Sequence, residues 1–317
     1  MPEPETAAIP IGVVGIGKIA LDQHLPVIAE GRDFHLAGAA SRHAEAPGAP
    51  TYQTVEALLD AQPDMAAVAL CTPPQVRAAQ ARAALEAGRH VLLEKPPGMT
   101  LAEVDALAAL AERRGVTLFA AWHSRFAPAV EPARTRLAGR QVRSARIRWR
   151  EDVRRWHPGQ DWVWEAGGLG VFDPGINALS IATRILPQPF ALREGELSVP
   201  AGRQTPIAAD LRFALEGGGE LRAEFDWRET GEPRWEIAVE TEAGPLTLSQ
   251  GGARLRDGDA EVALEGADDP HAEYRGVYRR FAALIRAGER DVDAAPLRHA
   301  ADAFLAARRT EVETFEW

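Results

Sequence analysis

Between Ile9 and Ala121, short apolar runs alternate with stretches of helical period. Ile9-Pro10-Ile11-Gly12-Val13-Val14, Phe34–Ala40, Met65–Cys71, His90–Leu93 and Val116–Ala121 read as strands. Met65–Cys71 is apolar without alternation, as expected of a strand covered on both faces of a parallel sheet. Between these runs lie predicted helices over Lys18–Glu30, Val55–Ala61 and Gln75–Ala87, the last stopped by Gly88. Thr100-Leu101-Ala102-Glu103 has the spacing of a capping box and opens a helix to about Arg114, which Gly115 ends. Repeated β-α units of this length predict a doubly wound parallel sheet.

The pattern changes after residue 124. Pro128–Leu137 predicts a bridging helix, and Val142–Arg150 alternates as a strand with one wet face. A Trp-rich loop follows, then a helix from Asp173 to about Ile185. Leu192 to Leu264 reads as several antiparallel strands separated by glycine turns such as Glu216–Gly219 and Gly251-Gly252. Helices over His271–Ala287 and Leu297–Arg309 close the chain. The expectation is an α/β domain over 1–124 and an α+β domain over 125–317, the latter built on an open, mostly antiparallel sheet.

Composition narrows the function. Acidic residues number 46 against 36 basic ones, a net charge of −10 over 317 residues. No basic stripe is available to neutralise phosphates, which argues against nucleic acid as a partner. The single cysteine, Cys71, excludes an intrachain disulfide and a multi-cysteine metal cluster, and fits a cytoplasmic location. Met1–Ala8 lacks the basic and apolar regions of a signal peptide, and no apolar run is long enough for a membrane span.

Gly15-Ile16-Gly17-Lys18-Ile19-Ala20 follows the first strand and opens the first helix. Strand, Gly-x-Gly-x-x-Ala and helix in that order are the fingerprint of a dinucleotide-binding Rossmann domain. The glycines allow a tight turn and close approach to a pyrophosphate, and the helix N-terminus offers it free N–H groups. Ser41-Arg42-His43, at the end of the second strand, supplies donors where NAD sites usually carry an acid. Arg42 can grip a phosphate monoester bidentately, which favours NADP with NAD also accepted. Glu45 is a rival partner for the ribose, and a solvated turn is the plain alternative.

Cys71-Thr72-Pro73-Pro74 and Glu94-Lys95-Pro96 stand at the carboxyl ends of two strands, where ligands bind in such sheets. Lys95 would donate to a carbinol oxygen and stabilise developing negative charge, unless it is a solvated loop lysine. In Asp173-Pro174-Gly175-Ile176-Asn177, Asp173 and Asn177 share one helix face. Asp173 can equally be read as an N-cap alone.

Gly-x-Gly-x-x-Ala, Thr-Pro-Pro, Glu-Lys-Pro, and Gly167-Gly168 before Asp173-x-x-x-Asn177 occur in the order and spacing of one family. Over its whole length the chain resembles the Gfo/Idh/MocA oxidoreductases. Lys18–His24, Glu94–Pro97, Glu151–Pro158 and Asp173–Leu179 are most similar to its NAD(P)-using members that oxidise L-arabinose and D-galactose. The resemblance implies oxidation of L-arabinose, and also D-galactose, at the anomeric carbon to the aldonolactone. Lys95 matches the family's Glu-Lys-Pro lysine, and Asp173 the acid of its Asp-x-x-x-His motif. Asn177 stands where many members carry a histidine; an amide is no general base, so Asp173 is assigned the proton, Lys95 polarises the hydroxyl, and Asn177 hydrogen-bonds the sugar. Proton transfer through Lys95 is the alternative.

Glu151, His157 and His123 are the further polar candidates that the resemblance supports. Trp156 and Trp235 are candidate platforms for the sugar's C–H face. The cofactor set is Gly15, Ile16, Gly17, Lys18, Ile19, Ser41, Arg42, His43, Cys71, Thr72, Pro73, Pro74, Glu94, Lys95 and His123. The resemblance calls for no metal, and only family habit suggests a homodimer through the second domain's sheet. Two other readings are an enzyme acting mainly on D-galactose or D-fucose, and a non-catalytic dinucleotide-dependent sugar sensor.

Overall fold

The structure is a computed structural model that describes residues 7–317, so residues 1–6 of the N-terminal stretch lie outside it. The chain divides into two compact units. One comprises the described part of Met1–His123 together with Glu273–Ala294, and the other Ser124–Ala272 with Ala295–Trp317.

In the first unit, β1 (Ile9–Val14), β2 (Phe34–Ala40), β3 (Thr51–Tyr52), β4 (Ala67–Leu70), β5 (His90–Glu94) and β6 (Leu118–Ala121) pair in parallel. Among the described residues they form a six-stranded sheet in the order β3-β2-β1-β4-β5-β6. The order reverses between β1 and β4, the position at which such sheets open a crevice at their carboxyl ends. Helices α1 (Leu25–Glu30), α2 (Val55–Ala61), α3 (Pro74–Glu86) and α4 (Leu101–Arg114) form the crossovers. On one face Leu58, Leu85, Leu107 and Leu110 bury Val68, Leu70, Val91 and Leu118. Strand alternation turns Phe119 to the other face. There it meets Phe281, 6.1 Å away between ring centroids, which also stacks on Phe34 at 5.6 Å.

Phe281 belongs to the helix Ala272–Ala287, which the sequence pattern placed in the second domain. It folds with the first unit because the Phe34–Phe119 face needs an apolar cover. The helix expected over Lys18–Glu30 is interrupted by a π-helical turn, Ala20–His24, before α1. Pro26 lies in the first turn of α1 and has no N–H to bond back along the helix. The capping box is present: Glu103 N donates to Thr100 Oγ1 at 3.2 Å and Thr100 N to Glu103 Oε2 at 3.4 Å.

The second unit runs α5 (Val130–Leu137), β7 (Val142–Arg150), α6 (Val153–Trp156), α7 (Phe172–Ile185), then β8 (Phe190–Pro200), β9 (Ala208–Leu215), β10 (Glu220–Asp226), β11 (Arg234–Thr241), β12 (Gly244–Ser249), β13 (Arg254–Asp257) and β14 (Ala260–Glu261). A last helix, Ala295–Ala306, and β15 (Arg308–Val312) complete it. Among the described residues the sheet has nine strands, ordered β14-β13-β12-β11-β7-β10-β9-β8-β15. All pairs are antiparallel except β7 with β10 and β8 with β15. Ile147, Trp149, Ala223 and Phe225 are buried on its inner face. The outer face pairs Arg146 and Arg150 with Glu224, and Arg148 with Glu236.

Helix α7 lies close on this sheet: a Cβ at Gly175 would come within 2.8 Å of the Phe225 ring. The helix expected to reach Arg309 stops at Ala306, because Arg308–Val312 pairs in parallel with Glu196–Pro200.

Candidate active site

The glycine loop has the conformation that a dinucleotide needs. Gly15 sits at φ +90°, and a Cβ there would lie 2.7 Å from Thr72 Cγ2 and 2.9 Å from Thr72 N. Only glycine fits so close to the next strand's end. At Gly17, by contrast, a Cβ would meet nothing within 4 Å, so the backbone there faces open space. Ile16 is buried, and Ile19 lies in helical conformation at the start of the π-turn. Lys18 is exposed and ion-paired with Asp22 one turn on.

At the end of β2, Ser41 Oγ accepts from the N–H groups of His43 at 3.4 Å and Ala44 at 3.3 Å. Arg42, His43 and Glu45 are exposed. The end of β2 thus presents exposed side chains beside the open glycine loop.

Thr72 Oγ1 donates to Gln80 Oε1 at 2.5 Å, Cys71 is a half-buried free thiol, Pro73 precedes α3 and Pro74 opens it. Lys95 is half-buried just past the end of β5. Glu94, one of the expected cofactor residues, is 2% exposed, and its carboxylate is turned inward. Its Oε1 accepts from His24 Nε2 at 3.1 Å and Tyr274 OH at 2.8 Å, while Oε2 accepts from Lys95 N at 2.9 Å. Burial alone would raise this carboxyl; hydrogen bonds from His24 and Tyr274 and nearby imidazole charge outweigh it and bring it down to about 2.

Burial would likewise lower His24, but the acidic groups of Cys71, Tyr278 and Glu94 around it hold its imidazole raised. Burial, with Glu94 beside it, pushes Tyr274 up. Burial pushes Tyr278, bonded through its OH to His24 Nδ1 at 2.8 Å, up to about 12. His123 follows β6 closely, bonds Glu273 through Nδ1 and stacks on Tyr274 at 5.2 Å.

The second unit assembles its own cluster. Asp173 is the second residue of α7, whose cap is Val171 with no side-chain bond, so Asp173 does not serve as the N-cap. Asp173 is 4% exposed, and its Oδ2 lies 3.3 Å from His157 Nε2. The other ring nitrogen, Nδ1, faces Gln160 Oε1 at 3.4 Å, an oxygen that also accepts from Trp162 Nε1 at 3.2 Å. Glu151, 4% exposed, accepts from Trp235 Nε1 at 2.7 Å. Trp235 in turn packs 5.3 Å from Trp156, the chain neighbour of His157. Asn177 stands one turn along α7, half-buried. Five of the expected sugar contacts and Asp173 are thus joined by contact, by chain adjacency or by one helix face.

A family profile described as "Oxidoreductase family, NAD-binding Rossmann fold" (GFO_IDH_MocA) matches residues 9–122. The chain is 43% identical to galactose 1-dehydrogenase of Pseudomonas fluorescens over 97% of this chain and 98% of that one. The chain belongs to the Gfo/Idh/MocA oxidoreductase family. Among solved structures it is similar to a D-galactose-1-dehydrogenase from Rhizobium etli, with TM-score 0.91 and 53% identity, covering 98% and 99% of the two chains. A 3-ketoreductase from Actinomadura kijaniata, solved with NADP and TDP-benzene, shares the fold at TM-score 0.84 and 22% identity over 96% and 99%.

In each of the two units of this Gfo/Idh/MocA oxidoreductase, some residues around the candidate cluster escape a reading of motifs. Arg77 is 3% exposed and donates to the carbonyls of Thr72, Glu94 and Pro96. His24, Tyr274 and Tyr278 enclose Glu94, and Trp227 packs 5.3 Å from His157. Arg77 and His24 lie in helical stretches where a charged side chain normally reads as a solvated face. Tyr274 and Tyr278 do share one helix face at a spacing of four, which is a legible sign of burial. Among the described residues no cluster of His, Cys, Asp and Glu could hold a metal ion, and no helix is long and apolar enough to cross a membrane.

Proposed function

We propose that this oxidoreductase is an NAD(P)-dependent aldose 1-dehydrogenase that oxidises L-arabinose and D-galactose at the anomeric carbon to the aldonolactone. The observation that carries this reading is the second unit's cluster: a buried Asp173 against His157, with Glu151 and two indoles alongside. A sugar calls for polar partners for its hydroxyls and a flat apolar surface for its C–H face.

Asp173 takes the anomeric hydroxyl's proton. Gln160 Oε1 favours a proton on His157 Nδ1, which leaves His157 Nε2 able to share the proton on Asp173 Oδ2. Lys95 is assigned the part the resemblance implies for it, polarising the hydroxyl as its charge changes. Asn177 and Glu151 orient the sugar, and Trp156 and Trp235 form its platform. The glycine loop, Ser41, Arg42, His43 and the Thr72-Pro73-Pro74 segment would hold the dinucleotide, with NADP preferred because Arg42 and His43 are exposed donors at the end of β2. Bound there, the nicotinamide supplies the hydride acceptor.

The galactose dehydrogenases among the relatives favour a second reading, D-galactose as the principal substrate. L-Arabinose and D-galactose differ by one hydroxymethyl group, and discrimination on one small group is worth only about 1–3 kcal/mol. The deciding experiment follows reduced-nicotinamide absorbance with L-arabinose, D-galactose, D-fucose and D-glucose. kcat/KM within a tenfold band for the first two, well above D-glucose, is expected; no reduction with any aldose would leave the sensor reading. We also place the protein in the cytoplasm. We further assign it a homodimer through the outer sheet face, where alternating arginines and carboxylates make the surface self-complementary; sedimentation as a monomer would refute that.

A further inference from the structure

The backbone around Lys95 is gripped from two sides by buried charged side chains. From α3, Arg77 Nη1 donates to the carbonyls of Glu94 and Pro96, the residues immediately before and after Lys95. Its Nη2 donates to the carbonyl of Thr72. From the opposite direction, Glu94 Oε2 accepts the N–H of Lys95 itself at 2.9 Å. Arg77 is 3% exposed and Glu94 2% exposed. Burying a guanidinium and a carboxylate costs stability that an apolar pair would not. Three carbonyls from two segments need several donors in one rigid plane, which arginine supplies and lysine does not.

We propose that Arg77 is a positioning residue for Lys95, with Glu94 as the opposing jaw of the same clamp. It rests on the reading of Lys95 given above. The clamp fixes the peptide on each side of Lys95, so the root of its side chain cannot drift. Through Thr72 it also fixes the Thr72-Pro73-Pro74 segment to the same base. Glu94 is itself held by His24, in the turn after the glycine loop, and by Tyr274, so that jaw is not free to yield.

The test is a double-mutant cycle on the full chain, with sugar and dinucleotide saturating. Arg77→Lys should lower kcat about tenfold or more, since small misplacements of a reacting group carry costs of that order. Arg77→Lys combined with Lys95→Ala should be no slower than Lys95→Ala alone, because with the dinucleotide saturating the clamp's effect on kcat passes through the lysine, and its hold on the Thr72-Pro73-Pro74 segment shows in dinucleotide affinity instead. Near-normal kcat in Arg77→Lys would overturn the proposal, as would two losses that multiply. If circular dichroism shows Arg77→Lys unfolded, Glu94→Gln replaces it in the same cycle; near-normal kcat in that variant, or losses that multiply, would overturn the proposal in the same way. Near-normal turnover in Lys95→Ala alone would overturn the reading of Lys95, and this inference with it; that failure shows in the single variant.

Discussion

Replacing Asp173 by asparagine separates a structural from a chemical role at one position. The side chain keeps its size and one oxygen, and loses its negative charge and its ability to take a proton. The structural cost is bounded by the contacts. Helix α7 has no side-chain cap to lose, since its cap residue is Val171. A carboxylate in the first turn gains about 0.3–1 kcal/mol from the helix dipole, which the amide forgoes. The contact with His157 Nε2 survives as a neutral one, with the amide N–H donating to that nitrogen. At roughly 2–4 °C per kcal/mol for a unit of this size, the melting temperature should fall by only a few degrees.

The chemical cost is larger. Losing a positioned proton acceptor removes about a hundredfold or more in rate, which is about 2.7 kcal/mol or more of transition-state stabilisation. The assay is initial-rate reduction of NADP with L-arabinose and D-galactose, alongside dinucleotide binding by quenching of tryptophan fluorescence. The expected result is lost turnover, unchanged dinucleotide affinity and a nearly unchanged melting curve. Wild-type turnover in Asp173→Asn would refute the assignment, and a melting temperature lowered by far more would show that the carboxylate is structural.

Arg42→Ala should weaken NADP about tenfold or more while sparing NAD, because a charge-assisted bond worth about 1.5–3 kcal/mol exists only with the 2′-phosphate; equal weakening of both cofactors would make Arg42 a general contact. Asn177→Ala should raise the sugar KM and lower kcat more mildly than Asp173→Asn, and a larger kcat loss than that variant would reverse the two roles. The His24–Glu94 pair should make stability pH-dependent. Glu94 is depressed to about 2, so its contribution is present above the ordinary value of 4.5 and is lost as pH falls towards 2. His24 is raised, so its contribution is full below 6.5 and fades as pH climbs through its elevated value. The stability gap between wild type and Glu94→Gln should therefore be widest between those limits, and a gap that does not change with pH would count against the buried ion pair.

The parallel sheet was legible because its strands are continuous apolar runs, and the start of α4 because Thr100 and Glu103 carry a capping box. The glycine loop was legible because Gly15 must hold a positive φ against Thr72. The break in the helix after that loop had a signal in Pro26, which lies in the interior of the expected Lys18–Glu30 helix and in the first turn of the observed α1. Two further features were not legible for physical reasons. Arg308–Val312 becomes a strand only because β8 offers an edge, a fact outside the local pattern. Arg77 reads as a surface arginine until the carbonyls of Thr72, Glu94 and Pro96 are seen to converge on it.

The helix that carries Tyr274, Tyr278 and Phe281 bears on how the polypeptide matures. A ribosome releases Phe34, Phe119 and Glu94 long before it makes the residues that cover them. The growing chain therefore carries an unroofed apolar face and an unsatisfied carboxylate while the whole stretch from Ser124 to Ala272 is translated, and such transiently exposed surface invites aggregation. A gene truncated after His123 would give not a small nucleotide-binding module but an incomplete one. Circular permutants that begin near residue 124 and run through Ala294 before reaching β1 would reverse that order of birth, delivering the roof before the sheet it closes.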